Sequence, residues 1–481
     1  MVKMSPQAPF DVAVIGGGVV GSAIAMRLSL TTARVCLIEA ADDLAEGASK
    51  GNSGIAECGY DTAPGSLETR LVRASSPRWE DLSRRLDVPF KRLGSLAVAL
   101  TDEESARLPH LLEAAHANGV TAEILSADEA RRREPMIAPE CRGALYLPEE
   151  GIIDPLRLTF GYAELAALNG AAIVCSAPVM GFEKADGRLS AVVTPKASMP
   201  ARFVVNAAGV QADAISALAG GEAFRMWPRK GQFWILDREF GTRLKHLVVA
   251  VPTPTTRGVL VVPTTNGSVL LGPTAEDLED RYDRSTVPDT LQRVFEKAKA
   301  LVPSVSLEYA IKTFAGARPA SDPVYRIKRD PIVSNLVHAA AIRSTGVSSS
   351  PAVADLVLDL LREAGLQANE REDAKTSITP VPRLLLDEDP ERLGTADPRY
   401  RQVVCACEQV TAAEIRAALS SRVPARSIDG VRKRTRATGG RCQGAVCMAG
   451  VSFLCSLHLN LPPEEIPFSA TAGSTLGIGR C

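Results

Sequence analysis

The chain has 481 residues, and its 55 basic and 56 acidic side chains leave a formal net charge of −1. Balanced charge gives no footprint for nucleic acid or an anionic membrane surface, and no apolar run spans a bilayer without a charge or proline. The length accommodates two to three domains, and the opening residues Met1 to Phe10 lack an apolar signal core, so a soluble, cytoplasmic chain with no transmembrane segment is expected.

The first predicted element is a strand ending at Ile15. It enters Gly16-x-Gly18-x-x-Gly21, a helix over 22–29, and a second strand, Arg34-Val-Cys-Leu-Ile38, that ends in Glu39. This is a βαβ unit with the dinucleotide fingerprint. Gly16 allows the tight turn, Gly18 lets the backbone approach a pyrophosphate, and Gly21 lets helix pack on strand. Glu39 can hold the hydroxyls of a ribose, and the helix N-terminus offers free N–H groups to the phosphates. The small, polar stretch from Ala48 to Tyr60 suits close approach to a flat ligand.

Helical patterns follow over 67–86 and 103–118, then Gly151-Ile-Ile-Asp-Pro155 leads into a helix through Asn169. Short strands are expected over 172–175, 179–183, 189–194 and 202–205, the last running into Asn206-Ala-Ala-Gly209. From Trp227 to about Ala310 the pattern becomes that of an antiparallel sheet, with Asn266-Gly267 as a hairpin turn. Phe314 to Pro319 and a strand over 336–342 return the chain to the nucleotide domain. A helix through Leu361 follows Arg343-Ser-Thr-Gly-Val-Ser-Ser-Ser-Pro351, with a serine cap and Pro351 in its first turn. Residues 366–400, with four prolines and many charges, read as a linker.

Four of the ten cysteines cluster near the end: Cys405-Ala-Cys407 and, 34 residues on, Cys442-Gln-Gly-Ala-Val-Cys447. Zinc sites usually show Cys-x-x-Cys pairs, whereas these spacings suit a binuclear iron–sulfur cluster. Arg432, Lys433, Arg434, Arg436 and Arg441 are placed to offset the negative charge of such a cluster. Cys455 reads as core, and Cys481 has no partner pattern.

Residues 10–365 resemble the FAD-dependent D-amino acid oxidase (DAO) superfamily, in particular its glycerol-3-phosphate dehydrogenase and 2-hydroxyglutarate oxidase branches. The matching stretches are Val14-Ile-Gly-Gly-Gly-Val-Val-Gly21, Asn52-Ser-Gly54, Gly151-Ile-Ile-Asp-Pro155, Asn206-Ala-Ala-Gly209, Gly272-Pro-Thr-Ala-Glu276, Gly316-Ala-Arg-Pro319 and 343–354. Residues 401–481 resemble the bacterioferritin-associated ferredoxin-like [2Fe-2S] domain, through the four cysteines and Thr435-Arg-Ala-Thr-Gly-Gly-Arg-Cys-Gln-Gly444. In this order the two are similar to the catalytic subunit of anaerobic-type glycerol-3-phosphate dehydrogenases.

The resemblance implies an α/β architecture. A Rossmann-like FAD-binding domain (1–90, 150–225, 312–365) carries an inserted antiparallel substrate domain (91–149, 226–311), a linker (366–400) and a small all-α [2Fe-2S] module (401–481). It implies FAD rather than NAD, in keeping with a single nucleotide fingerprint. It further implies that Gly16, Gly18, Gly21 and Glu39 hold the ADP half, and that Ser49, Asn52, Ser53 and Gly54 line the ribityl and flavin. Val179 meets the adenine, Ala208 and Gly209 lie beside the pyrophosphate, and Gly346, Val347 and Ser348 face the pyrimidine edge. Cys405, Cys407, Cys442 and Cys447 are the cluster ligands. Many relatives carry a histidine shortly after Asn-Ser-Gly, where this chain has Glu57.

The function these features imply is a dehydrogenase. It oxidises a small anionic secondary alcohol, with glycerol 3-phosphate first in line, and passes electrons through the cluster to an external acceptor. A 2-hydroxy acid or imino acid dehydrogenase (2-hydroxyglutarate or hydroxyproline) is the enzymatic alternative, and a non-catalytic electron-transfer or redox-sensing protein the alternative from another class. Arg318 is the first candidate to anchor the substrate's oxyanion, followed by Arg343 and Lys230. The base is left open among Glu57, His246 and Tyr60, while His338 reads as core. The expected acceptor is a protein or a quinone-linked subunit docking near the basic face of the module, with peripheral membrane attachment through it.

Overall fold

The computed structural model describes residues 9–253 and 257–469; the leader reading over 1–8 and Cys481 fall outside them. Strand Phe10–Ile15 pairs in parallel on both sides, Val12 opposite both Val35 and Phe203. Val12, Ala13 and Val14 are fully buried, which is why this strand is apolar without alternation. The parallel order runs Ala172–Val174, Val35–Ile38, Phe10–Ile15, Ser198–Asn206, Leu336–Ala340, with Arg326–Arg329 antiparallel beyond it. Strands Gly181–Ala185 and Arg188–Val193 extend antiparallel from Ser198–Asn206. On one face, helix Val19–Ser29 packs between Pro155–Leu168 and Gly346–Glu363. The carboxyl ends of Phe10–Ile15 and Ser198–Asn206 therefore open at one edge, where a doubly wound sheet takes its ligand.

Local chemistry moves several boundaries. The helices expected over 67–86 and 103–118 are each divided near a proline, Pro77 and Pro109. Helix Gly346–Glu363 starts five residues before Pro351, with Thr345 as an N-cap that makes no side-chain cap bond. Pro351 has no N–H for the Val347 carbonyl, and the Ser350 hydroxyl donates to that oxygen at 2.9 Å instead.

The second sheet has nine strands centred on Trp227–Leu236. Asn266-Gly267 turns between Leu260–Pro263 and Val269–Gly272, as the sequence predicts. Leu247–Ala250 pairs in parallel with Ser95–Ala99, so the sheet is mixed rather than purely antiparallel, and this pairing recruits the earlier segment. Ala310–Ala320, whose residues from 312 on were expected to lie in the nucleotide domain, pairs along Trp227–Leu236, Arg318 opposite Arg229.

The stretch 366–400 is laid against the first domain: Ile378 N–H donates to the Arg85 carbonyl at 3.0 Å, and Arg383 pairs with Asp87 at 2.7 Å. The last module is a short hairpin, Val403–Cys405 with Val410–Thr411, and helices Ala412–Ser420, Ile428–Thr435 and Met448–Leu459. Thr411 and Glu414 form the expected capping box. Arg434 docks this module on the first domain, donating to both oxygens of Asp43 at 2.9 Å and stacking 3.8 Å over Phe160. No helix among the described residues is long and apolar enough to cross a membrane.

Candidate active site

The fingerprint glycines divide their work as a dinucleotide site requires. A Cβ on Gly16, at φ +107°, would meet the Ala207 carbonyl oxygen at 2.4 Å, and one on Gly21 would meet the Gly16 oxygen at 1.9 Å. Both therefore serve packing. At Gly18 only the Ser49 hydroxyl lies near, at 3.3 Å, so the turn stays open where a pyrophosphate would sit. Ser49 accepts from Val19 N–H at 2.9 Å, tying the 48–54 loop to the helix N-terminus. Glu39 accepts from Gly17 N–H at 2.7 Å and Ala41 N–H at 2.8 Å. Burial raises its carboxyl above the usual value, and these N–H groups oppose the rise. Val179 and Ala208 share an apolar cluster with Ile15 and Ile38, and Gly209, at φ +57°, has nothing over it.

At the flavin end, Asn52 accepts from Gly54 N–H at 2.7 Å, shaping the turn that contains Ser53. Gly54, at φ +73°, abuts the Ile153 carbonyl. Gly51 backs directly onto Gly316: a Cβ on either would come within 2.4 Å of the other's backbone. The loop is thus clamped between the two domains. Val347 and Ser348 have buried side chains, so at this helix start Gly346 and the backbone are what face outward. Ser348 instead accepts from Glu57 N–H at 3.0 Å and donates to the Ile55 carbonyl at 3.2 Å, fixing the strand that carries Glu57. Two helix starts without side-chain caps, an open glycine turn and a half-buried acid at the second strand's end fit a dinucleotide cofactor.

Arg318 is set apart by its partners. Its guanidinium donates to three carbonyls, Thr274 at 2.6 Å, Arg229 at 3.2 Å and Lys230 at 3.4 Å, and among the described residues it has no ion pair. Gly231, where a Cβ would lie 3.3 Å from its Nη2, makes room for it. Burial first, then the guanidiniums of Arg229, Arg257 and Arg343, pull Arg318 down to about 10. A half-buried cation among cations, held among the described residues by carbonyls, is a site for an anion. Arg343 contributes a looser charge, 3.5 Å from Glu68.

Glu57 lies in the same neighbourhood. Arg257 reaches its Oε2 at 2.5 Å and Asp61 Oδ2 at 2.5 Å. Burial raises the Glu57 carboxyl, Arg257 lowers it, and Asp61 raises it again. Behind it, Glu150 is buried and accepts from the Cys58 thiol and N–H at 3.4 Å. Burial and the Glu57 charge push Glu150 up to about 7. Arg257, Asp61 and Glu150 escaped the sequence reading. Arg257 sits in a loop without periodicity, and only Glu150, adjoining Gly151-Ile-Ile-Asp-Pro155, had a signal beside it.

Two candidates are corrected. Strand alternation puts Lys230 on the opposite face from Arg229 and Arg318; it is buried and bonded to Asp283 at 2.8 Å, so its charge is spent. His246 lies 3.6 Å from Glu134, edge-on to Tyr146, in a group separate from the Arg318 cluster. His338 is core, between Asp330 and Asn206.

In the last module, Cys407 neighbours Cys442 and Cys405 neighbours Cys447. Burial, then the Cys405 thiol, pushes Cys447 up to about 12, while the Val446 N–H leads the lowering of Cys442. The two pairs adjoin one another: Cys405 also acts on Cys407, and Cys442 on Cys447. Paired thiols fit a two-iron cluster, which shares four thiolates between two metals. The basic run is corrected. Lys433 pairs with Asp43 and Glu46, Arg434 with Asp43, Arg432 with Asp429, Arg436 with Glu408, and Arg441 with Asp237 and Glu239. These charges hold the module to itself and to the rest of the chain, so they are not a free basic face for an acceptor.

Residues 11–360 match the FAD dependent oxidoreductase (DAO) family, and residues 403–452 match the BFD-like [2Fe-2S] binding domain. The chain is 35% identical to a glycerol 3-phosphate dehydrogenase of Caloramator mitchellensis, over 95% of this chain and 96% of that one. It is 26% identical to one of the subunits of the anaerobic glycerol-3-phosphate dehydrogenase of Escherichia coli K12, covering 91% and 86%. The solved structure of dithionite-reduced L-alpha-glycerophosphate oxidase from Mycoplasma pneumoniae, with FAD bound, superposes with a TM-score of 0.73 at 27% identity, covering 78% of this chain and all of that one.

Proposed function

The chain belongs to the FAD-dependent oxidoreductase family, and from that premise we propose that it oxidises glycerol 3-phosphate to dihydroxyacetone phosphate and sends the electrons to an external acceptor. The observation that carries this reading is Arg318, a half-buried guanidinium that among the described residues bonds only to carbonyls. Its fork, with Arg343 beside it, binds and orients the phosphate oxygens, which supply the missing counter-charge. Glu57 takes the proton of the secondary hydroxyl, and its raised carboxyl makes it a stronger base than an exposed one. Arg257 positions that carboxylate and favours its ionised form. The Gly16–Gly21 turn and the 48–54 loop would hold FAD, which would supply a two-electron hydride acceptor, and Cys405, Cys407, Cys442 and Cys447 would hold a [2Fe-2S] cluster, which would supply a one-electron carrier.

The Escherichia coli relative is one component of a larger dehydrogenase, which supports an acceptor that is itself a protein or a quinone-linked subunit. A cytoplasmic place, peripheral to a membrane through such a component, goes with that reading.

Anaerobic addition of glycerol 3-phosphate, 2-hydroxyglutarate and hydroxyproline to separate samples tests the substrate. Loss of oxidised-flavin absorbance with glycerol 3-phosphate alone is expected. Bleaching by one of the other two alone reassigns the substrate, and bleaching by none removes the enzymatic reading.

A further inference from the structure

From Cys442 to Pro463 the sequence contains no Asp, Glu, Lys or Arg, in a chain that is 23% charged. Helix Met448–Leu459 occupies most of this span, and only Val451, Ser452 and Cys455 of it are buried. Phe453 is 58% and Leu457 60% exposed, one turn apart, and Val446, in the turn leading into the helix, is 75% exposed. Gly450 lies between them on the same side, followed by Phe453 and Leu457 at helical spacing. The strand Val403–Cys405 borders the stripe through Val404, whose Cγ1 lies 3.0 Å from a Cβ built on Gly450. The helix bears no charged side chain and leaves large apolar ones in solvent, and an apolar surface of this kind marks an interaction site.

The stripe adjoins the cysteine quartet. Cys447 is the N-cap of the helix, and Val446 lies between the ligands Cys442 and Cys447. Cys405 and Cys447 are buried, while Cys407 and Cys442 are half-buried, and the Val446 N–H meets the Cys442 sulfur, so the exposed Val446 side chain stands beside a ligand that reaches solvent. The basic residues around the quartet are occupied by acidic partners elsewhere in the chain.

We propose that Val446, Phe453 and Leu457 form the docking face for a redox protein that draws electrons from the cluster, and that this contact is apolar and uncharged. The proposal rests on reading the module as the electron exit. The occupant is an acceptor because whatever covers Val446 lies beside Cys442, a ligand that reaches solvent. A second copy would set two clusters of equal potential face to face, with no driving force between them. A bilayer is a poorer fit, because twelve helical residues are too few to span one and no basic rim flanks the stripe among the described residues. Apolar docking without steering charges makes association insensitive to salt.

The test places a photo-crosslinking residue at position 453 of the full chain, and at exposed position 180 as a control, in cells of the source organism. The adducted protein is then purified and mixed with dithionite-reduced holoenzyme at low and high salt, so that the result does not depend on which substrate reduces the flavin. Expected are an adduct with a cofactor-bearing redox protein at 453 but not at 180, and reduction of that protein at a rate unchanged by salt. Phe453→Asp and Leu457→Asp should each slow that reduction about tenfold or more, with cluster absorbance and dye reduction unaltered. An adduct with a second copy, binding of the holoenzyme to lipid vesicles through this face, or wild-type transfer rates in both variants would overturn the proposal. So would a steep loss of transfer with salt.

Discussion

Arg434 and Asp43 stand 391 positions apart in the chain and meet through two hydrogen bonds of 2.9 Å, both side chains buried. Burial alone would raise the Asp43 carboxyl; Arg434, and then Lys433, outweigh it and hold it below its usual value. The sign follows: this contribution is full at neutral pH and is lost as pH falls below the ordinary carboxylate range. Breaking the pair leaves Asp43 to Lys433 alone. Arg434→Met should cost about 3 kcal/mol in urea unfolding followed by cluster absorbance, with the difference shrinking in acid. An unchanged midpoint would mean that the module is not held through this contact.

Arg318→Lys keeps a positive charge but loses the planar fork. It should lower kcat/KM by about 100-fold, mostly through KM, while the flavin spectrum stays that of the parent. His246→Asn, away from the cluster, should leave both constants within about twofold. Lys230→Met should instead lower the melting temperature, because Asp283 is left without its partner.

Glu57→Gln should lower kcat by about 10²- to 10⁴-fold without loss of flavin, as expected when a general base is removed. In the parent, the rising limb of kcat/KM should lie above the ordinary glutamate value of 4.5, since burial is the largest influence on Glu57. Arg257 favours the ionised form, so Arg257→Gln should move that limb to still higher pH. A limb at or below 4.5 would assign the base elsewhere.

Glu150 predicts a stability difference rather than a rate. Its carboxyl, raised from 4.5 to about 7, favours the folded state when protonated. That contribution is complete below about pH 4.5 and is lost as pH rises toward 7. Glu150→Gln should therefore gain stability relative to the parent by up to about 3 kcal/mol between pH 5 and pH 8 in thermal melts.

The parts of this site that repeat a local pattern were legible in the sequence. Gly16, Gly18, Gly21 and Glu39 declare themselves because strand, turn, helix and second strand are contiguous. The four cysteines do so because they come in two close pairs. What was misread depends on partners distant in sequence. The run 432–436 looked like a free basic patch because Asp43 and Glu46 lie near the other end of the chain. Lys230 looked available because neither its pairing opposite Ala317 nor the approach of Asp283 shows in one strand's sequence. Arg257, Asp61 and Glu150 converge only when two loops and a turn meet, and none of those segments has a period to read.

Rapid mixing of the anaerobic holoenzyme with glycerol 3-phosphate, with flavin absorbance and the low-temperature electron paramagnetic resonance signal followed together, tests the whole electron path. The expected result is flavin bleaching followed by a [2Fe-2S] signal, the signal being absent in Cys405→Ala and Cys442→Ala while the bleaching persists. Bleaching with no cluster signal in the parent, or no bleaching at all, would contradict the account.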